Sequence, residues 1–179
     1  MKQPVTPTAG QLPATLADFM AQALQMELDA EQRYGEFADM MEIHNNLEVA
    51  QWFRKMAAIE GKHAQQIMAQ MGWRQAPQPL TRAPVFEGFE AAETAAVEEV
   101  HYLMRPWHVL QLALANEERA QRFFARLASL ATVDAVRQAA LELQQEEAQH
   151  VQLVKAWMLK VPQPQPDWDQ DPDPPRYDD

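Results

Sequence analysis

Cysteine is absent from all 179 residues. That absence excludes structural disulfides, thiolate zinc sites, iron–sulfur clusters and a rubredoxin-type four-cysteine iron centre within this chain, so any electrons it uses must come from elsewhere. Long apolar runs are missing too. The N-terminal MKQPVTPTAGQLPATL lacks the hydrophobic stretch of a signal peptide, and no segment reaches the length needed to span a bilayer. Cytoplasmic residence without a membrane partner is the expectation. Positive charge is scarce: 15 Lys and Arg face 26 Asp and Glu, for a formal net charge of −11. Nonspecific binding to nucleic acid or to an anionic membrane is thereby disfavoured. Much of the negative charge lies in residues 161–179, where Asp167, Asp169, Asp171, Asp173, Asp178 and Asp179 are opposed only by Arg176. The rest of the chain is less acidic than the total suggests.

The length suits one domain with a full core and is too short for two ordinary ones. The Pro/Thr-rich residues 1–14 read as a flexible segment. Thr15 followed by Asp18 is a variant of the capping box, and apolar residues then recur with helical period to Met41, which predicts a first helix over 15–41. Asn45 and Asn46 supply a turn and cap before a second periodic run over 46–71, which Gly72 closes. Pro77, Pro79 and Pro84 make the next stretch an extended connection, with a shorter acidic helix over Phe89–Leu103. Pro106 opens a third long helix over 106–130, and Thr132 or Asp134 opens a fourth that reaches about Lys160. Pro162, Pro164 and Pro166 stop it. A Pro/Asp-rich tail over 161–179 carries too little apolar surface to order itself and is expected to be disordered.

Two of these stretches repeat one pattern. Glu27, Ala30, Tyr34, Phe37 and Ala38 recur as Glu117, Ala120, Phe124, Leu127 and Ala128, and a Glu-x-x-His pair follows each set: Glu60 with His63, and Glu147 with His150. The two intervals from lone Glu to paired Glu are 33 and 30 residues. The repeat implies two helical hairpins related by a pseudo-two-fold axis and joined by the long crossover. The predicted fold is therefore all-α, a four-helix bundle over residues 15–160. Steps of four and three along each helix trace an apolar seam, for example Met20, Ala23, Glu27, Ala30, Tyr34, Phe37 in the first and Val136, Ala140, Leu143, Glu147, His150, Val154 in the fourth. The six polar residues are the exceptions on these seams and must point inward.

Unpaired carboxylates are costly in an interior, by several kcal/mol each, and four of them repel one another. No Lys or Arg falls on the seams to neutralise them. Two divalent cations would, and would leave both imidazoles neutral and able to coordinate. One Glu from each of two helices with a Glu-x-x-His from each of the other two is the donor set of ferritin-like di-iron and di-manganese bundles. Mixed carboxylate and imidazole donors suit iron, manganese or zinc. The predominance of oxygen leans toward iron or manganese, and two Fe ions are the expected cofactor.

With these residues in hand, the chain resembles the rubrerythrin-like branch of the ferritin-like superfamily. The resemblance is carried by E-L-D-A-E-Q-R-Y-G-E-F-A from Glu27, E-G-K-H-A at Glu60, E-E-R-A-Q-R-F-F-A-R-L-A from Glu117 and E-A-Q-H at Glu147. It implies a di-iron centre bridged by Glu60 and Glu147, with Glu27 and His63 completing one end and Glu117 and His150 the other. It implies oxidation of Fe(II) by dioxygen or hydrogen peroxide. The alternatives are a di-iron oxygenase acting on an organic substrate and a metal-binding bundle with little turnover. Three departures from the family pattern matter. The Pro/Asp tail has no cysteines for a rubredoxin-type centre, so an external electron donor is the expectation. Ala120 stands where rubrerythrins carry an extra Glu used in peroxide turnover. Gly61 occupies the place of the haem-ligating Met of bacterioferritins, so no haem is expected.

Tyr34 shares the seam with Glu27 two turns away, where its hydroxyl could orient a ligand carboxylate or be oxidised during oxygen chemistry. Glu31, Glu36, Glu118 and Glu146 fall off the seams and read as solvated charge. His44, His101 and His108 read as structural or surface groups, and Trp52, Trp107 and Trp157 as packing or interface aromatics. Outward aromatics also favour a homodimer.

Overall fold

Three of the four predicted helices have a local reason to start where they do. In the computed structural model, which describes residues 12–77 and 100–171, α1 spans Leu16–Ile43, α2 Leu47–Met71, α3 Pro106–Leu130 and α4 Asp134–Met158. The Thr15 hydroxyl accepts from the Asp18 amide at 3.1 Å to cap α1. The Asn46 side chain accepts from the Val49 amide to cap α2, and its Nδ2 donates to the carbonyls of Tyr102 and Met104 at 3.0 and 2.9 Å. Gly72 ends α2 at φ +66, a left-handed conformation that glycine adopts without a Cβ penalty. Pro106 takes the first turn of α3, where a missing N–H leaves nothing unbonded.

The closest backbone packing lies within two antiparallel hairpins, α1 with α2 and α3 with α4, which then meet across a shared interior. Side chains from all four helices fill that interior in two apolar clusters. One gathers Phe19, Met20, Leu24, Ile67, Phe124, Leu127 and Leu143 toward one end of the bundle. The other gathers Phe37, Met41, Val49, Phe53, Met56, Leu110 and Val154 toward the opposite end. At about 1.5–3 kcal/mol per buried large side chain, these clusters supply most of the drive to fold. Between them lies a polar layer formed by the six seam residues.

Two expectations are corrected. The acidic helix expected over Phe89–Leu103 lies mostly outside the described residues, and the part that is described, from Val100 to Leu103, is not helical. Asn46 draws off the Tyr102 and Met104 carbonyls there. The disorder expected for the tail does not extend to residues 161–171. Val161 and Trp168 pack against the second cluster, and the Trp168 ring lies 3.8 Å from the His108 ring. The Tyr102 hydroxyl donates to Asp171 at 2.5 Å. One indole supplies the apolar area that the prolines and aspartates lack. Residues 1–11 and 172–179 lie outside the described residues.

Candidate metal centre

The polar layer brings together all six residues singled out by the repeat. α1 contributes Glu27, α2 Glu60 and His63, α3 Glu117, and α4 Glu147 and His150. The three-residue spacing within each Glu-x-x-His places both side chains on one helical face. The donor atoms fall into two triads, Glu27–Glu60–His63 and Glu117–Glu147–His150, within each of which they lie within 4.8 Å of one another. His63 Nδ1 is 3.4 Å from Glu27 Oε2 and 3.1 Å from Glu60 Oε2. His150 Nδ1 is 3.4 Å from both Glu117 Oε2 and Glu147 Oε2. The two imidazoles stack across the interface with ring centroids 4.2 Å apart and planes 4° from parallel, so the triads adjoin. The four carboxylates are buried, with 3–7 % of their surface exposed. The histidines form the wetter edge, with 15 and 20 % of their side chains exposed.

Electrostatics within the layer follow from burial and crowding. Burial, followed by the charges of Glu60, Glu147 and Glu117, pushes the Glu27 carboxyl well above the ordinary glutamate value. Burial raises Glu60 as well, against the opposing hydrogen bond from His63. Burial raises Glu117 to about 7; the hydrogen bond with His150 opposes the rise and one with Glu147 adds to it. Burial alone would lower His150, but hydrogen bonds to Glu117 and Glu147 overcome it and raise the imidazole to about 10. His63 is raised likewise, its burial outweighed by Glu60 and the surrounding carboxylates. Burial and crowding thus favour proton binding in the layer. A metal entering it must displace those protons.

These residues fit a pair of metal ions. Four carboxylates and two imidazoles converge in a dry layer, and each triad presents two oxygens and one nitrogen within reach of one ion. Such a donor set suits a di-metal centre. The imidazoles are the basic groups that the cluster itself contains.

Tyr34 is buried, and its hydroxyl accepts from Asn116 Nδ2 at 2.8 Å. Asn116 Oδ1 in turn accepts from Arg119. The sequence reading passed over Asn116, although its position beside Glu117 and three residues after Ala113, on a mostly apolar helix face, was a usable signal. Glu31 is half-buried and not free in solvent: its carboxylate lies so close to Gly61 that a Cβ there would meet Oε1 at 2.6 Å. Glu36 and Glu118 are on the surface, paired with Arg33 and Lys155, and Glu146 is exposed. His108 is buried; its Nδ1 accepts from the Arg105 amide at the start of α3, and burial lowers its imidazole. Trp52 and Trp157 meet edge to face, with Lys55 Nζ 4.6 and 3.7 Å from their ring centroids.

Comparison with known proteins gives three findings. The Rubrerythrin family model matches residues 18–158. A crystal structure of an uncharacterised conserved protein from Magnetospirillum magnetotacticum MS-1 is similar, at 34 % identity over 84 % of this chain and 98 % of that one, with a TM-score of 0.60. No curated protein matches. Among the described residues, no helix is long and apolar enough to cross a membrane.

Proposed function

Because the chain belongs to the rubrerythrin family, we propose that its polar layer holds two iron ions and that the protein oxidises Fe(II) with dioxygen or hydrogen peroxide. Glu27, Glu60 and His63 would hold one ion in this reading, and Glu117, Glu147 and His150 the other. The observation that carries it is the convergence of four buried carboxylates and two stacked imidazoles from four helices in one layer. Iron held there would supply one electron per ion, so that two ferrous ions and two protons would balance the reduction of one hydrogen peroxide to two waters.

The chain's own residues set the conditions. Glu27, Glu60 and Glu117 give up protons as metal enters, and His63 and His150 surrender the Nδ1 proton they otherwise share with the carboxylates. Metal uptake therefore releases protons and tightens with rising pH. The apolar clusters on either side keep water from the carboxylates, so the histidine edge is the accessible side for a small oxidant. Tyr34, held by Asn116, lies two helical turns beyond Glu27 as a positioning group. Ala120 is fully buried and brings no further carboxylate to that part of the layer.

Anaerobic titration with Fe(II) should saturate at about two ions per chain. Admission of air or peroxide should then develop a near-ultraviolet ferric band. Failure to bind iron, or binding without any oxidation by either reagent, would overturn this function.

A further inference from the structure

The histidine edge opens between α2 and α4, and the surface of those two helices differs from the rest of the molecule. Every lysine among the described residues lies on α2, on α4 or at the end of α4: Lys55, Lys62, Lys155 and Lys160. α1 carries Arg33 as its one Lys or Arg. Steps of three and four place Trp52, Lys55 and Lys62 along one face of α2, and Leu153 and Trp157 along one face of α4, with Lys160 in the turn that follows it. Trp52 and Trp157 touch, so the two faces border one strip, and Lys55 lies over both indoles. Leu153 is 43 % exposed, and all three lysines of the strip are exposed. Trp157 stands seven residues from His150 on the same helix, about 10 Å along its axis. Lys155 turns away to Glu118 on α3. The exposed acids Glu48 and Glu146 stand beyond the ends of the strip.

An aromatic pair under one ammonium group, with two further exposed lysines on the same strip of a chain of net charge −11, is matched by an acidic surface and repels a basic one. α3 also bears cations, Arg119, Arg122 and Arg126, but Arg119 is engaged with Asn116 and Arg122 with Glu118, and neither histidine of the polar layer lies on that helix. We propose that the α2–α4 strip is the docking surface of an acidic one-electron carrier protein, which reduces the metal pair through Trp157 and the histidine edge. This rests on the di-iron reading above. In each encounter the carrier loses one electron and one ferric ion becomes ferrous, so two encounters restore the pair. Transient redox contacts of this kind are small and steered by charge, and their rates fall with ionic strength.

A flavodoxin, acidic and bearing a flavin, serves as the probe. Binding is measured first with the metal-free full-length chain, at low and high salt. The Lys55→Glu/Lys62→Glu variant should lose about tenfold in affinity at low salt. The Arg122→Glu/Arg126→Glu variant, with the same change in net charge, should stay within about twofold. With iron-loaded, air-oxidised protein, flavodoxin hydroquinone should reduce Lys55→Glu/Lys62→Glu about tenfold more slowly than wild type, while dithionite reduces both equally. Trp157→Leu should slow reduction at saturating flavodoxin, beyond any change it causes in flavodoxin binding. Lys55→Gln/Lys62→Gln, with an intermediate loss, covers the case in which the reversed charges disturb folding. Equal losses for the lysine and arginine pairs, or binding indifferent to salt, would overturn the proposal. If no dithionite-reducible ferric band forms, the di-iron reading fails, and the binding measurement still judges the strip.

Discussion

Replacing Glu117 by glutamine should make the metal-free protein more stable at pH 8 and leave it unchanged at pH 5. Glu117 is buried and titrates at about 7 in the folded chain, against 4.5 ordinarily. Raising the pH therefore ionises it first in the unfolded chain. The resulting penalty is absent below pH 4.5, grows between 4.5 and 7, and is complete above 7. At about 1.4 kcal/mol per pH unit, that gap of 2.5 amounts to roughly 3 kcal/mol of instability at pH 8. Glutamine keeps the shape and removes the charge. Its carbonyl still accepts from His150, but the bond is weaker without the negative charge, which returns about 1 kcal/mol. The net gain is about 2 kcal/mol, or about 4–8 °C in melting temperature for a chain of this size. At pH 5 the remaining penalty and the weakened bond nearly cancel. Calorimetric scans of chelator-treated wild type and Glu117→Gln at the two pH values test this, followed by scans with Mn(II). Wild type should gain more from the metal than the variant does. A variant less stable at pH 8, or one whose offset is the same at both pH values, would refute the premise that crowded, dehydrated carboxylates strain the empty layer.

Tyr34→Phe should destabilise the fold by about 1–3 kcal/mol, because the buried Asn116 Nδ2 loses its acceptor; in urea titrations, Tyr34→Phe/Asn116→Leu should lose less than the sum of the two single changes. Trp168→Ala should cost about 1–2 kcal/mol, below the value for a fully buried ring. It should also move the His108 imidazole up toward its ordinary value in an NMR titration, since burial is what lowers it.

The long helices were legible because each is amphipathic and three are bounded by a residue with a definite local role: Thr15, Asn46, Gly72 and Pro106 all act at the termini where the sequence puts them. The six polar seam residues were legible for the same reason, as exceptions to an apolar period that the structure confirms is buried. What escaped depends on distant pairings. Asn46 bonding to the Tyr102 and Met104 carbonyls, which are more than fifty residues away, decides the path of the chain before α3, and no local pattern announces it. Trp168 docking on His108 is similar: composition alone made the tail look unable to order, and one indole finding one imidazole reversed that for residues 161–171. Asn116 was missed because its partner, Tyr34, lies on another helix 82 positions earlier.

Each hairpin houses one complete triad, and the parallel rings of His63 and His150 mark where the halves face each other. A dimer of two identical hairpins would reproduce all six donors about its dyad, so this chain is laid out as the covalent splice of such a pair. Once the halves share one backbone they are free to diverge, and they have done so at the positions of Tyr34 and Phe124. One half keeps a buried hydroxyl bonded to Asn116 and the other an inert ring. The two triads therefore match in their donors and differ in what surrounds them.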